Sequence, residues 1–179
     1  MPIGPETLLE LVRKRKLVSK LDQRELRNPE GAGFDLRVGR VYEIFGEAFL
    51  GIKDRQTPKA KLVAKYNPRK RASYTLRPGE YVLMMTMESF KLPPDIVGYT
   101  SSRTTVFRSG VNLICSPIQP GYVGELTFGL KNEGPVDFTF ELGARIAHVQ
   151  FDYVQGGGAA YRGQWQGGRV TTSGREEQI

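Results

Sequence analysis

The chain has one cysteine, Cys115, one histidine, His148, and one tryptophan, Trp165, among its 179 residues. A single cysteine excludes an internal disulfide framework and fits a reducing cytoplasm, where we expect the protein to work. One histidine with one cysteine cannot build a His/Cys/Cys zinc site, so water activation on a resident zinc of that type is excluded. Both residues stand in apolar, strand-like surroundings, where burial is their ordinary role. No run approaches the roughly 18 apolar residues of a membrane helix, and the N-terminus has no apolar stretch of the signal-peptide kind. The expectation is a soluble protein with no membrane partner.

Acidic residues are in the minority, 19 against 26 Lys and Arg, which leaves a net charge of +7. That balance points to an anionic partner, whether nucleotide, nucleic acid or membrane surface, without choosing among them. The 21 glycines and 11 prolines signal many turns and favour a β-rich fold over a helical bundle. The length suits one domain with a hydrophobic core of its own.

PETLLELVRKRKL, from Pro5, predicts a short amphipathic helix: proline and Glu6 in the first turn, Leu8, Leu9 and Val12 at helical spacing, and a basic end. AGFDLRVGRVYEIF, residues 32–45, alternates apolar and polar residues, which is strand periodicity, so the core begins near Phe34. From Leu76 onward apolar strands recur at short intervals, divided by RPGE, LPPD, QPGY, NEGP and ELGA, a spacing typical of a sandwich or jelly roll. Residues 53–71 hold eight Lys or Arg against one acid, Asp54. Without interleaved aromatics to stack bases this reads as a solvated loop containing a hairpin, and nucleic acid is not expected as a partner. The last 25 residues, from Gln155, are glycine-rich and polar with no apolar period, and taken alone read as a flexible end.

SSRTTVFRSGVNL, residues 101–113, sets Arg103 and Arg108 among five hydroxyl side chains. Guanidinium groups beside hydroxyls can form charge-assisted hydrogen bonds to phosphate oxygens, so the segment suits a phosphate grip built from Arg103, Thr104, Thr105 and Arg108, with surface ion pairs of the arginines as the alternative. QPGYVGELTFGL, residues 119–130, reads as a hairpin turning at Pro120, Gly121 and Gly124.

In order, GFDLR, LRPGEYVLMMTMESFKLPPDIVG, SSRTTVFRSGV, IQPGYVGELTFGLKN and GARIAHVQF resemble successive motifs of the superfamily that contains dCTP deaminases and trimeric dUTPases. The resemblance covers residues 33–151, and the preceding helix looks most like the deaminase branch. It implies an all-β, distorted jelly-roll barrel with a short N-terminal helix, spanning residues 1–154 and followed by a tail or lid at 155–179. It further implies a homotrimer with active sites between subunits, a deoxynucleoside triphosphate ligand and Mg²⁺. In such proteins the arginine-hydroxyl segment contacts triphosphate and the hairpin holds the pyrimidine through its backbone, here around Thr127, Phe128 and Gly129. The aromatic that matches Tyr122 lies against deoxyribose, and Asp35 matches an acidic position linked to the water shell of Mg²⁺. YRGQWQGG in the tail resembles the segment that folds over the phosphates, which would bring Gln164 or Gln166 to them, with Arg162 or Arg169 adding charge.

Two positions depart from that pattern. The glutamate that shuttles protons in dCTP deaminases matches Gly129, which cannot transfer a proton. Glu125, on the same strand face by alternation, would lie about 13 Å away. The aspartate that orients water in trimeric dUTPases matches Gln119, which can hydrogen-bond a water and a sugar hydroxyl but cannot take a proton as a carboxylate does. The sequence thus suggests a dUTPase-like hydrolase releasing dUMP and pyrophosphate, with Gln119, Asp35 and Arg108 at the reacting end. The alternatives are a dCTP deaminase and a nucleotide-binding trimer without chemistry.

Overall fold

The computed structural model describes residues 1–178. Helix α1 (Pro5–Arg15) begins on Pro5, whose fixed φ suits a first turn, and closes on Lys16 in the left-handed region at φ 58°. Leu8 is fully buried beneath it. A short strand β1 (Val18–Ser19) and a helix α2 (Gln23–Arg27) follow, the latter capped by Asp22, which accepts from the Arg24 amide at 2.9 Å.

The long strands come next. β2 (Gly33–Phe45) is buried on both faces in its first half, so GFDLRV reads as a nearly unbroken core strand. β3 (Phe49–Leu50) precedes the basic segment and pairs as a hairpin with β4 (Asp54–Gln56), while β5 (Lys59–Lys65) of that segment joins the edge of β2 where a loop containing a hairpin was expected. β6 (Ser73–Leu76), β7 (Tyr81–Lys91) and β8 (Ile96–Ser102) lead into a five-residue helix, α3 (Thr104–Arg108). β9 (Val111–Ile114), β10 (Val123–Asn132), β11 (Phe138–Glu141), β12 (Arg145–Tyr153) and β13 (Glu176–Glu177) complete the chain.

An eight-stranded sheet runs β8-β12-β2-β7-β10-β9, with β1 added to β7 and β5 to β2. Gly98 of β8 and Ile118, just after β9, exchange backbone hydrogen bonds of 3.0 and 2.8 Å, which draws the two ends of the path together. The outcome is the distorted jelly-roll barrel that the turn spacing and the motif order implied. Phe34, Phe90 and Phe151 meet at its centre as tilted and edge-on pairs 6.3 and 6.4 Å apart. On the β5 edge Lys59, Lys61 and Lys65 are exposed, an arrangement that blocks pairing with foreign strands.

The hairpin differs in detail from its reading in the sequence. The strand paired with β10 is β9, joined through Gly129↔Ile114 and the residues that follow, and residues 115–122 form the long connection between them. Gly121 turns that connection at φ 78°, donating to Leu92 O at 3.1 Å.

Candidate active site

A cavity of about 630 Å³ opens between the barrel wall, the 115–122 connection and the C-terminal tail. Ile44 of β2, Tyr81 and Leu83 of β7, and Leu126, Thr127 and Phe128 of β10 form its wall, while Gln119 and Tyr122 come from the connection. Four residues singled out in the sequence, Gln119, Tyr122, Thr127 and Phe128, are therefore brought together. Tyr122 is 8% exposed and its hydroxyl donates to Glu125 O at 2.6 Å. Burial is the main reason its phenol is pushed up to about 12. The Thr127 hydroxyl is buried with no hydrogen-bond partner among the described residues.

Gly129 borders this wall, and its missing side chain has a visible consequence. A Cβ there would lie 2.9 Å from Tyr81 Cζ and closer still to the hydroxyl, so the phenol occupies the space that any larger residue would need. Glu125 is directed elsewhere, pairing with Lys20 at 3.2 Å and Arg40 at 3.3 Å. A β-bulge between Glu125 and Thr127 breaks the simple alternation along β10. No carboxylate lines the cavity, and Arg169 is the one charged residue that does, among the described residues.

The tail is folded where composition alone suggested a flexible end. Tyr161 sits edge-on to Tyr122 at 5.6 Å, and Trp165 lies under the Arg55 guanidinium at 4.7 Å. Gln166 clamps the connection, accepting from Val123 N at 2.7 Å and donating to Gly121 O at 3.0 Å. Gln164 accepts from Arg55 and donates to Glu177 O at 2.8 Å. Both glutamines thus bind protein groups here. The close approach depends on Gly124: a Cβ at that position would fall 2.7 Å from the Gly167 carbonyl carbon. Arg169 and Arg55 also bind Glu176, and the Arg169 hydrogen bonds hold that carboxyl below its ordinary range. Arg55, which belonged to the basic run in the sequence, is therefore part of the tail's seat, a role no local pattern could disclose.

The second group of expected site residues lies apart. Asp35, on β2, is 5% exposed. Its carboxylate accepts from Arg103, from Arg145 at 2.8 Å and Arg24 at 3.4 Å, and meets His148 Nδ1 at 3.0 Å. Burial chiefly lowers the His148 pKa from its ordinary value, a shift that Arg103 reinforces. Both carboxylate oxygens are thus engaged by guanidinium or imidazole groups, an environment that does not fit a share in the water shell of a divalent metal. Arg37, two residues along β2 from Asp35, binds Glu88 at 2.7 Å and Asp22 at 3.1 Å. Thr104, Thr105 and Arg108 project from α3 and are exposed, and no residue of α3 lines the cavity. Within one chain the phosphate grip and the cavity do not meet.

The fold and the cavity together define a β-barrel protein whose concave site is walled by a β10-centred sheet and covered by the C-terminal segment. A dCTP deaminase-like family model matches residues 4–154, and the chain belongs to that family. It is 32% identical over 157 residues to a dCTP deaminase of Pyrococcus furiosus, covering 87% of this chain and 88% of that one. It is 33% identical over 138 residues to a probable deoxyuridine 5'-triphosphate nucleotidohydrolase of Aeropyrum pernix, covering 76% and 83%. The 2'-deoxycytidine 5'-triphosphate deaminase from Agrobacterium tumefaciens superposes with a TM-score of 0.66 at 14% identity, over 86% of this chain and 48% of that one, a likeness of fold. No helix among the described residues is long and apolar enough to cross a membrane.

Proposed function

We propose that this protein binds a pyrimidine deoxynucleoside triphosphate and hydrolyses it to the monophosphate and pyrophosphate, with dUTP the expected substrate. The observation that carries this over deamination is the wall at Gly129. Deamination by the family's route needs a carboxylate there to pass protons to the ring, and Tyr81 fills that space instead. Hydrolysis asks less of the wall, since phosphoryl transfer is driven largely by positioning and charge neutralisation.

In this reading the nucleoside enters the cavity, with Tyr122 against deoxyribose and the β10 backbone from Thr127 to Gly129 along the pyrimidine. Gln119, exposed at the cavity's edge, accepts a hydrogen bond from the attacking water through its side-chain carbonyl. That water bonds to the α-phosphorus, the bond to the bridging oxygen breaks, and pyrophosphate leaves with the displaced electron pair. The water's protons pass to solvent, because Gln119 cannot retain one.

The separation of α3 from the cavity supports a homotrimer in which Arg108, Thr104 and Thr105 of one copy reach the nucleotide held by the next. Mixing two separately inactive proteins, Arg108→Ala and Tyr122→Ala, tests both statements together. Mixed trimers recover dUMP and pyrophosphate production because some sites then carry neither defect. Failure to recover, with trimers confirmed by sedimentation, sinks the shared site. A second reading, a binding trimer without turnover, is favoured by the carboxylate-free wall. It is distinguished by dUTP and dCTP that bind and are recovered unchanged.

A further inference from the structure

Tyr81 opens β7 and pairs across the sheet with Lys131, so it shares a face with Leu83 on its own strand and with Thr127 and Gly129 on β10. It is half-buried and lines the cavity. Its ring reaches diagonally over Gly129, into the slot that the absent side chain leaves. Desolvation raises its pKa above the ordinary phenol value, so the group in that slot stays protonated at neutral pH.

Two hydroxyls therefore stand on one wall, Tyr81 Oη and Thr127 Oγ1, the latter buried and without a partner. Their neighbours on the wall are apolar: Ile44, Leu83, Leu126 and Phe128. A buried polar group without a partner is costly, and apolar side chains at this point would remove that cost. What the two hydroxyls supply on an apolar wall, Thr127 Oγ1 without a partner among the described residues, is a hydrogen-bonding edge for a flat polar ligand.

We propose that Tyr81 and Gly129 act as one base-binding unit, in which the glycine vacates the slot and the Tyr81 hydroxyl hydrogen-bonds the polar edge of the bound base. This rests on the cavity's being the nucleoside site. A phenol both donates and accepts, so the same hydroxyl serves a ring carbonyl or an exocyclic amine. Uracil and cytosine are consequently held with similar affinity, and the wall itself performs no proton transfer on either. Tyr81 is a base-binding residue.

The test is calorimetric titration, in EDTA to prevent turnover, of dUTP, dCTP and inorganic tripolyphosphate into the wild-type protein and Tyr81→Phe, which deletes only the hydroxyl. The variant is expected to bind both nucleotides about 5–20-fold more weakly, the usual cost of one hydrogen bond left unmade, and tripolyphosphate unchanged. Unchanged nucleotide affinity in Tyr81→Phe overturns the proposal while leaving the nucleoside site intact. A wild-type protein that binds nucleotides no better than tripolyphosphate overturns the cavity assignment itself, and the proposal with it. Thermal unfolding gives a readout that needs no ligand. Gly129→Glu should lower the melting temperature, and the double variant Tyr81→Ala/Gly129→Glu should restore most of the loss; a single variant as stable as wild type would show that the slot is not shared.

Discussion

On the cavity wall a buried hydroxyl, that of Thr127, has no partner among the described residues; around Asp35, both carboxylate oxygens are taken. The wall carries no acid among the described residues and leaves Thr127 Oγ1 unmet, whereas Asp35, buried on β2, is met by Arg24, Arg103, Arg145 and His148. A saturated buried charge has little left to offer a ligand, and its value lies in fixing the groups around it. An unsaturated wall is costly when empty and gains from whatever fills it. The two regions thus divide the labour: the Asp35 cluster anchors Arg103, the residue that leads into α3, and the cavity is where a ligand finds unmade bonds.

Removing the anchor should have the largest effect. Asp35→Ala leaves several cationic groups without their counter-charge, and about 3 kcal/mol of stability should be lost, read from the denaturant midpoint. A loss below about 1 kcal/mol would mean that the cluster is not a scaffold. Arg108→Ala should change stability little, since the side chain is exposed, yet weaken triphosphate binding about 10–100-fold through the loss of a charge-assisted contact. Unchanged calorimetric affinity would remove α3 from the site.

Trp165→Ala sharpens the contrast from the cavity side. Deprived of the Arg55 stack, the tail should become accessible to limited proteolysis near Gly167, and nucleotide affinity should fall by about 3–10-fold. A tail cleaved no faster than in wild type would show that the docking depends on the glutamine and arginine hydrogen bonds alone.

The pH dependence separates the buried titratable groups by sign. Burial holds His148 below its ordinary 6.5, so the unfolded chain binds this proton more readily than the folded one. Its contribution to stability is full above pH 6.5 and declines as pH falls through the lower folded value, by less than about 1.4 kcal/mol per pH unit. Glu25 and Glu88, both raised chiefly by burial, act oppositely: their contribution is present at low pH and lost as pH rises through their raised values. The difference between wild type and His148→Gln isolates the histidine, and parallel curves between pH 7 and 5.5 would contradict its burial as the cause. The smallest effect is expected for Lys59→Gln/Lys61→Gln/Lys65→Gln on the exposed β5 edge, within about 0.5 kcal/mol of wild type. Retention on DNA that falls steeply with salt in the wild type and vanishes in this variant would instead give the edge a nucleic-acid role.

Local pattern already carried much of this. The alternation through GFDLRVGRVYEIF and the regular turns after Leu76 dictate strands and a barrel, because a period of two has one apolar face to bury. Pro5 and the leucines after it dictate α1. Tyr122, Gln119 and the β10 residues were legible as a group because they are neighbours in sequence, and their turn glycines mark the connection. Tyr81 was not legible, since nothing local sets a strand tyrosine apart until Gly129, 48 positions later, is seen beneath its ring. Arg55 was read as part of a charge run for the same reason.

The sequence by itself determined the strand periods, the capped helix and the order of the motifs, all of them facts of spacing along the chain, and the resemblance those motifs carry marked positions 119 and 129 as lacking a carboxylate. Only the tertiary structure decided that Asp35 spends its oxygens on arginines and a histidine, that a tail without any apolar period docks through Tyr161 and Trp165, and that Tyr81 takes the place Gly129 leaves open. Those outcomes depend on which distant side chains share a volume, and that is settled by packing, which no local pattern encodes.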